Sequence, residues 1–579
     1  MILKANLKYN ICWLILMVAG FYLMNTLILV GVIDSFLENM LVTIGINIIL
    51  AVGLNLVIGF AGQFSLGHAG FMAVGAYATA IIISKTPTAG AFYVSIIVGV
   101  VIAIVAALVV GIPTLRLRGD YLAIATMGAA EIIRIVINNL KITNGPSGMF
   151  NIPQFATWPV VYIMICVTTI IIVNFIHSRG GRAAMAVRED EIAAESMGIN
   201  VFKWKLAAFV LGAATAAVAG SMQASYLQTI APSNFNIMES IAILIIVVLG
   251  GVGSVTGSFV AAIILGIVDT ALQNFGALRM VIYAVVLILI MIFKPSGIMG
   301  TWELSFKRLF TKKNEDGGQV MSTLLKVEDL VKNFGGLTAV SDVTMQLNDD
   351  ELVALIGPNG AGKTTLFNLL TGVIVPSSGS ITFRGPNGTI PLNGKKAYKI
   401  ANLGMARTFQ NIRLFKELSV LDNVLIAMTA HYKEGFVQSV FRLPKFYRTE
   451  AQIRQEAIEL LKIFDLQDDV DKLAKNLPYG IQRRLEIVRG LAMKPKVLFL
   501  DEPAAGMNPE ETADLTRLIR QIQREFHITV LLIEHDMSLV MNLAERIYVL
   551  DHGSLLAEGT PAQIQQNPAV IKAYLGEEA

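Results

Sequence analysis

A nine-residue stretch from Gly357 to Thr365 has the residue types and the spacing of a phosphate-binding loop. It reads GPNGAGKTT and fits the pattern G-x-x-x-x-G-K-[ST], between an apolar run typical of a buried strand and a run that can open a helix. Glycines let backbone N–H groups curl around phosphate oxygens, and the helix N-terminus adds partial positive charge. We predict that ATP or a close analogue binds here, to Gly357, Pro358, Asn359, Gly360, Ala361, Gly362, Lys363, Thr364 and Thr365.

Individual side chains in and before this loop have predicted roles of their own. Lys363 can reach the outer phosphates, and the hydroxyl of Thr364 can hold Mg²⁺. Phe334 precedes the loop by the length of a strand pair and could stack on an adenine ring, with a core aromatic as the alternative. A chance glycine-rich turn is the competing interpretation of the loop, and the motifs farther along the chain argue against it.

Two later apolar runs end in side chains that can do chemistry on a phosphate. VLFLDEP ends in Asp501 and Glu502, and VLLIEHD carries His535 directly after its apolar residues. In open α/β sheets, ligands bind beyond the carboxyl ends of the strands. We therefore predict that Asp501 acts on Mg²⁺ through water and that Glu502 orients or deprotonates the attacking water. His535 is predicted to contact the γ-phosphate.

The composition places part of the chain in lipid. Of 579 residues, 54% are hydrophobic and only 15% are charged, whereas about a quarter of the residues in a soluble domain are charged. The formal net charge of +3 argues neither for nor against nucleic acid, and no nucleic-acid partner is predicted. The length exceeds what one hydrophobic core usually holds, so several domains are expected.

The apolar residues are concentrated in the first half of the chain, in about ten runs. We predict a multi-domain protein in which an all-α polytopic membrane domain of about ten helices precedes an α/β P-loop ATPase domain. The predicted boundaries are 1–300 for the membrane domain, 301–322 for a cytoplasmic linker and 323–579 for the ATPase domain. The runs cover residues 9–32, 37–59, 65–84, 91–114, 121–140, 158–177, 206–225, 239–250, 257–273 and 279–293.

The distribution of basic residues predicts the orientation of these runs. Lysines and arginines gather at the N-terminus, in the loops after residues 114 and 177, and after the last run. If all of these are cytoplasmic, the N-terminus and the ATPase lie on the same side, which requires an even number of spans. A cleaved signal peptide is the alternative for the first run, which is long for a signal core and has no clear cleavage site.

Two features inside the membrane half leave alternatives open. Glu131 and Arg134 are three residues apart, so one helical face can carry both. A structural ion pair is the favoured interpretation, and a pair lining a transport pathway is the alternative. The glycine-rich join GGVGSVTG, residues 250–257, indicates close helix packing or a broken helix, because it lies between two membrane runs and not in a dinucleotide fold.

The longest internal basic loop reads GGRAAMAVREDEIAAESMGINVFKWK. Its central part, AVREDEIAAESMG, can form a short helix at the membrane surface. Such a helix could fit into a groove on an ATPase, whereas an ordinary solvated connector is the alternative. With an ATPase on the same chain we favour coupling, through Glu191, Ala194, Glu195 and Gly198.

The order of the motifs resembles that of ATP-binding cassette (ABC) domains, and the whole chain looks most like the Liv-type branched-chain amino-acid importers. The ATPase half resembles the LivG ATPases in GPNGAGKTTLFNLLTG, RTFQNIRLF, DEPAAGMNP and LLIEHDMSLVM. The membrane half resembles the LivM permeases in GLNLVIGFAGQFSLGHAGF, EIIRIVINNL and the AVREDEIAAESMGIN loop. The chain would thus be a fusion of two subunits that are usually separate.

This resemblance implies further site residues. Gln410, within RTFQNIRLF, would take part in catalysis and in Mg²⁺ binding. LPYGIQ stands where the family carries LSGGQ, so Tyr479, Gly480 and Ile481 would contact ATP bound by a partner cassette. Pro478 replaces the usual Ser, which removes one donor to the γ-phosphate, while the backbone N–H groups at the helix start remain.

The resemblance also implies an activity and an assembly. The activity is ATP-driven import of Leu, Ile or Val, with ATP and Mg²⁺ as cofactors. The partners are a second permease subunit, a second ABC ATPase subunit, an extracytoplasmic amino-acid-binding protein and the lipid bilayer, and a homodimer is possible. The location is the cytoplasmic (inner) membrane of a bacterium, as a multi-pass protein with its ATPase domain in the cytoplasm.

Three other functions stay open at this point. Related permeases handle other amino acids, urea or short amides, and no residue in the runs predicts a substrate pocket. A half-size ABC exporter has the same domain order, but about ten runs and a short coupling loop argue against it. An ATP-gated membrane regulator that transports nothing belongs to a different class, and nucleotide-dependent flux would distinguish it.

Overall fold

The computed structural model describes residues 17–117, 119–271, 323–385, 388–429 and 444–575. These residues form two compact units. The first takes in the described residues up to Arg188, those from Val201 to Ala271, and 444–448. The second takes in Glu189–Asn200 and the other described residues from 323 onward. The predicted linker, 301–322, lies outside the described residues, and the predicted domain boundaries remain predictions.

The first unit is helical. Nine of the ten predicted apolar runs reach the described residues, and each of the nine forms a helix. The run at 279–293 lies outside them. The helices, with α7 from the basic loop, are α1 (Met17–Leu29), α2 (Ser35–Asn55, continued by a π-helical turn at Leu56–Phe60), α3 (His68–Lys85), α4 (Ala89–Thr114), α5 (Asp120–Asn139), α6 (Trp158–Ile176), α7 (Arg179–Glu189), α9 (Val201–Leu227), α10 (Ile237–Gly250) and α11 (Val255–Ala271).

Among the described helices, four are long and apolar enough to cross a membrane. They are Ser35–Phe60, Ala89–Thr114, Trp158–Ile176 and Val201–Leu227. A fifth span is obtained if α10 and α11 count as one. Together these two helices are long and apolar enough to cross a membrane, but they are bent by 119° where they meet. The all-α membrane part is thus confirmed.

The bend between α10 and α11 confirms the interpretation of GGVGSVTG as a broken helix with close packing. A Cβ atom on Gly250 would lie 2.4 Å from the carbonyl oxygen of Gly257, so any larger residue would push the two helix ends apart. Asn55 on α2 holds this join. Its side-chain amide donates to the carbonyl of Ser254 at 2.8 Å, and its oxygen accepts from the Gly253 N–H at 2.8 Å. The break is therefore a built feature of the helix bundle.

The basic loop was predicted to form one short helix, and this prediction was wrong in detail. Two helices form instead: α7 ends at Glu189, and α8 covers Glu191–Ser196. Asp190 lies between them with an extended backbone, and its carboxylate accepts hydrogen bonds from the N–H groups of Ile192 and Ala193. Aspartate is a strong N-cap residue, which explains why a new helix starts here.

The second unit contains two sheets and the helices that follow their strands. A four-stranded antiparallel sheet has the order β2-β1-β4-β5, and a six-stranded sheet has the order β10-β9-β3-β8-β7-β6. The strands are β1 (Thr323–Phe334), β2 (Leu337–Asn348), β3 (Leu352–Ile356), β4 (Ser378–Gly385), β5 (Gly388–Pro391), β6 (Met405–Arg407), β7 (Val497–Asp501), β8 (Thr529–Ile533), β9 (Arg546–Asp551) and β10 (Ser554–Gly559). The larger sheet is parallel except where β10 pairs with β9.

The helices of this unit connect the strands in the manner of an α/β domain. They are α12 (Lys363–Leu370), α13 (Ala397–Ala401), α14 (Val420–Met428), α15 (Pro444–Ile463), α16 (Tyr479–Leu491), α17 (Pro509–Phe526), α18 (Met537–Leu543), α19 (Pro561–Gln565) and α20 (Pro568–Leu575). The first five residues of α15 belong to the first unit. The central strands β3, β7 and β8 are buried along their whole length. Helices can cover both faces of a largely parallel sheet in this way. The connection between two parallel strands runs back over one face of the sheet or the other.

Candidate active site

The phosphate-binding sequence forms a loop between β3 and α12, as predicted. Gly357 has φ 153° and a Cβ atom there would lie 2.1 Å from the carbonyl oxygen of Leu550, so only glycine fits. The helix begins at Lys363, directly after Gly362, and the first N–H groups of a helix have no partner within it. The loop therefore presents backbone donors at the end of a buried strand.

The Lys363 side chain is buried within this loop. Its ammonium group donates hydrogen bonds to the carbonyl oxygens of Gly357 at 2.6 Å and Pro358 at 3.0 Å. Burial lowers the pKa of Lys363, and the negative charge of Glu502 acts in the opposite direction. A phosphate that replaced these carbonyl partners would favour the charged form of the lysine.

The three predicted catalytic residues meet at the carboxylate of Glu502, which contacts both Gln410 and His535. Glu502 follows β7 directly, has the left-handed φ of 47°, and its N–H donates to the carbonyl of Ile533 at the end of β8. Its Oε2 accepts a hydrogen bond from Nε2 of Gln410 at 2.9 Å, and its Oε1 lies 3.2 Å from Nε2 of His535. Non-glycine residues with a left-handed backbone are uncommon and cluster at functional sites.

Asp501, the last residue of β7, has one paired and one unpaired carboxylate oxygen. Its Oδ2 accepts from Nη2 of Arg407 at 2.9 Å, and both side chains are buried. Its Oδ1 is buried and has no hydrogen-bond partner among the described residues. Burial raises the pKa of Asp501, and Arg407 partly offsets this effect.

The donor set here fits a hard cation. The orphaned oxygen of Asp501, the exposed hydroxyl of Thr364 and the amide of Gln410 offer the oxygen ligands that Mg²⁺ prefers. Within the described ranges there is no group of three His, Cys, Asp or Glu side chains that could hold a metal ion. Mg²⁺ does not need one, because it usually binds through one or two protein oxygens together with phosphates and water.

Phe334, at the end of β1, is not a core aromatic. Its side chain is 47% exposed, and the Lys332 ammonium lies 5.0 Å from the centroid of its ring. The alternative interpretation of this residue was therefore wrong. Its predicted contact with adenine remains a prediction.

The signature segment starts a helix, as expected. Tyr479 is the first residue of α16, with Pro478 at the N-cap, so the backbone donors of the helix start are retained. The Tyr479 hydroxyl donates to the carbonyl of Ala505 at 3.1 Å, three residues beyond Glu502. Gly480 follows on the same turn, and Ile481 is partly buried against the core of the second unit.

The sequence analysis missed a buried charged cluster on α16. Arg483, Glu486 and Arg489 lie three residues apart from one another, and none of their side chains is exposed. Nη1 of Arg483 donates to Oε2 of Glu486 at 2.9 Å and to the carbonyl of Phe409 at 2.7 Å. The spacing of these ionic residues places them on one face of the helix, but the sequence does not show that this face is buried.

This cluster holds the backbone of the candidate catalytic residues. Nη2 of Arg483 donates to the carbonyl of Gln410 at 2.9 Å and to that of Glu502 at 3.4 Å. Glu486 accepts from the N–H groups of Phe409 at 3.4 Å and Arg413 at 3.2 Å. A single buried arginine therefore joins the loop that carries Gln410 to the end of β7.

The segment 189–200 packs within the second unit. Nη1 of Arg413 donates to Oδ2 of Asp190 at 2.9 Å, and Nδ2 of Asn402 donates to the carbonyl of Gly198 at 2.9 Å. Ala194 is fully buried, and Met197 belongs to the hydrophobic core of this unit. Glu191 and Glu195 are both half-buried. The coupling role of Glu191, Ala194, Glu195 and Gly198 stays a prediction, and the contribution of Asp190 was missed.

Comparisons with known proteins agree with this architecture. Residues 36–293 match the family described as the branched-chain amino acid transport system / permease component. Residues 340–505 match the ABC transporter family, and residues 554–579 match the family described as branched-chain amino acid ATP-binding cassette transporter.

Individual relatives match the ATPase half. The branched-chain amino acid transport ATP-binding proteins LivG of Escherichia coli and BraF of Pseudomonas aeruginosa are each 47% identical over 254 residues, which is 44% of this chain and 98% of theirs. A solved nucleotide-free ATP-binding cassette from an ABC transporter is 30% identical and covers 44% of this chain and 100% of its own, with a TM-score of 0.39. The chain therefore belongs to the branched-chain amino acid ABC transporters, and it joins a permease component and an ATP-binding component in one polypeptide.

Proposed function

We propose that this chain imports branched-chain amino acids across the cytoplasmic (inner) membrane of a bacterium, using ATP hydrolysed in the cytoplasm. The observation that carries the ATPase assignment is Glu502, whose two carboxylate oxygens meet Gln410 and His535 at the edge of the sheet next to the phosphate-binding loop. The substrate class rests on the family to which residues 36–293 belong. Branched-chain amino acids are also the cargo in the names of LivG and BraF.

In this proposal the second unit hydrolyses ATP by positioning and electrostatics. The N–H groups of the loop 357–365 and the Lys363 ammonium bind the phosphates, and Phe334 stacks on the adenine. Glu502 orients the attacking water and accepts its proton, while His535 contacts the γ-phosphate and Gln410 fixes the Glu502 carboxylate. When bound, Mg²⁺ neutralises phosphate charge, and Thr364, Gln410 and Asp501 would hold it.

A second cassette completes the site. Tyr479, Gly480 and Ile481 stand at the start of α16 and present backbone donors to ATP bound by a partner ATPase subunit. The hydrogen bond from Tyr479 to Ala505 ties this surface to the segment that follows Glu502. ATP binding would thus bring two cassettes together, and hydrolysis would separate them.

Movement of the cassettes would reach the permease through α8. Asp190 and Gly198 accept hydrogen bonds from Arg413 and Asn402 within the second unit, so this helix would move with the loop that carries Gln410. The complete transporter would include a second permease subunit and a second ATPase subunit. An extracytoplasmic amino-acid-binding protein would deliver the substrate.

Uptake by cells tests this proposal. The chain and the products of its neighbouring genes would be made in bacteria that lack their own branched-chain amino acid importers, and entry of labelled leucine would be measured. We expect leucine uptake that disappears in the Glu502→Gln variant. ATP hydrolysis without entry of leucine, isoleucine or valine would overturn the substrate class, and other amino acids, urea and short amides would then be tested.

A further inference from the structure

An ion pair lies in the second half of α5. This helix has 20 residues, a length of about 30 Å, and covers nearly all of the predicted apolar run 121–140, although it is not one of the four described helices that are long and apolar enough to cross a membrane. Glu131 is the twelfth of these residues and Arg134 the fifteenth. Nε of Arg134 donates to Oε2 of Glu131 at 2.9 Å, and Nη2 of Arg134 donates to the other carboxylate oxygen.

One side of α5 packs against the helix bundle. A Cβ atom on Gly67 would lie 2.6 Å from the carbonyl of Thr126, and one on Gly70 would lie 2.7 Å from Cα of Ala130. These two glycines, at the start of α3, therefore bring the backbones of α3 and α5 into contact. Thr126 is also held, because its hydroxyl accepts a hydrogen bond from the Leu66 N–H.

The ion pair lies on the side of α5 that the described residues leave open. The Glu131 side chain is 45% exposed and that of Arg134 is 28% exposed. Ile132 and Ile135 beside them are 64% and 48% exposed. A Cβ atom on Gly128, one turn before Glu131, would meet no atom of the described residues within 4 Å. The pair thus lies beside apolar side chains on the part of the α5 surface that the described residues leave uncovered.

Lipid is a poor environment for this face. A charged side chain in contact with lipid is costly, and such residues usually face a water-filled cavity or another protein chain. A salt bridge reduces this cost but leaves each carboxylate oxygen with a further lone pair to satisfy. The exposed face of α5 is therefore expected to border the aqueous path between permease subunits.

We propose that Glu131 and Arg134 form a recognition site for a zwitterionic α-amino acid on this path. Glu131 binds the α-ammonium group, Arg134 binds the α-carboxylate, and the branched side chain lies against Ile132 and Ile135 in the space next to Gly128. The inference rests on the proposed function and deepens it, since it names the groups of the permease half that recognise the substrate. It also favours a pathway role over a purely structural ion pair.

The test uses the whole transporter in vesicles, with labelled leucine and its binding protein outside and ATP inside. Glu131→Gln and Arg134→Gln should each lower the initial uptake rate about tenfold or more, because a hydrogen bond to a charged group is lost. Asp120→Asn, at the exposed end of the same helix, is the matched control and should not change uptake. Hydrolysis of ATP by the variants shows that the protein is folded.

A charge-swapped variant separates recognition from a structural salt bridge. Glu131→Arg with Arg134→Glu retains an ion pair but exchanges the positions of its charges. We expect uptake to stay low in this double variant, and recovery to the wild-type rate would overturn the proposal.

Gly128→Leu provides a second test that leaves both charges in place. It fills the space beside the pair and should block uptake while ATP hydrolysis continues, so wild-type uptake by this variant would also overturn the inference. If the wild-type transporter itself moves no leucine, the proposed function fails first. If wild type and all variants transport leucine equally, only the recognition site fails.

Discussion

Gln410 and Glu502 are joined by a hydrogen bond of 2.9 Å from Nε2 to Oε2, although 92 positions separate them in the chain. The contact follows from the sheet, since β6 and β7 are adjacent parallel strands and the polar residues follow their carboxyl ends. His535 reaches the same carboxylate from the end of β8, the neighbour of β7 on its other side. Three strands thus deliver three side chains to one point.

Replacing Glu502 should separate ATP binding from hydrolysis. Glu502→Gln keeps the size of the side chain but removes the base, so we expect unchanged nucleotide affinity and a loss of turnover of about 10²-fold or more. Fluorescent-nucleotide titration and phosphate release measure the two quantities. Glu510→Gln, on the exposed first turn of α17, is the matched control. Full hydrolysis by Glu502→Gln would disprove the assignment of this carboxylate.

The ionisation of Lys363 predicts a pH dependence of ATP binding. Burial lowers the pKa of this lysine, so it loses its proton at lower pH than an ordinary lysine, whose pKa is about 10.4. Because phosphates favour the charged form, ATP affinity should fall as the pH rises through the lowered pKa, and binding should take up protons in that range.

Lys363→Arg is the control for this experiment, since arginine stays charged throughout. Its affinity, even if lower at neutral pH, should not change with alkaline pH. Calorimetric titrations in buffers of different ionisation enthalpy measure affinity and proton uptake together. The prediction would be contradicted if the ATP affinity of the wild-type protein stayed constant up to the pH at which an ordinary lysine loses its proton.

Arg483 should act as a positioning residue for the two residues whose carbonyls it holds. Lysine cannot reproduce the planar arrangement of donors that joins Arg483 to Gln410 and Glu502. We therefore expect Arg483→Lys to lower kcat about tenfold while KM for ATP stays unchanged, because the hydrogen bonds of Arg483 position Gln410 and Glu502.

The neighbouring residue Arg484 offers a control for that variant. It lies outside the buried cluster, with its guanidinium 3.7 Å from Asp514. Arg484→Lys should leave both kinetic constants at the wild-type values. Equal kcat values for Arg483→Lys and wild type would show that the buried arginine has no influence on the site.

The pair Asp190–Arg413 should couple hydrolysis to transport. Asp190→Asn keeps an N-cap acceptor for α8 but removes the charge that Arg413 contacts. We expect leucine transported per ATP to fall severalfold, since a partly exposed ion pair contributes up to about 1 kcal/mol. Basal hydrolysis should be unaffected.

A double-mutant cycle tests whether the two residues act together. Arg413→Gln should have the same effect as Asp190→Asn, and the double variant should be no worse than either single one. Simultaneous measurement of phosphate release and uptake gives the required ratio. Additive losses in the double variant would contradict a shared role.

Much of the architecture could be predicted from the pattern of apolar residues. Runs of membrane-like residues predicted helices, and nine of these runs reach the described residues. Short apolar runs ending in Asp501 and His535 predicted adjacent strand ends, because ligand sites in α/β sheets form there. The motif order then allowed Gln410 to be added through the resemblance to ABC domains.

The remaining features depend on tertiary contacts that no local pattern contains. Arg483 and Glu486 sit in a helix that looks amphipathic, and only the fold shows that they face the loop around Phe409. Asp190 was passed over because an acidic residue in a charged loop is usually solvated. The left-handed backbone of Glu502, which accompanies a hydrogen bond from its N–H to the end of β8, is likewise not a preference of glutamate that the sequence could show.

The most direct test of the account is leucine uptake into vesicles that contain the purified transporter, with ATP enclosed and the binding protein outside. We predict that labelled leucine accumulates inside the vesicles, that accumulation requires ATP and Mg²⁺, and that Glu502→Gln abolishes it while still binding nucleotide. If the wild-type protein hydrolyses ATP in these vesicles but no branched-chain amino acid enters, the account of this chain as their importer is contradicted.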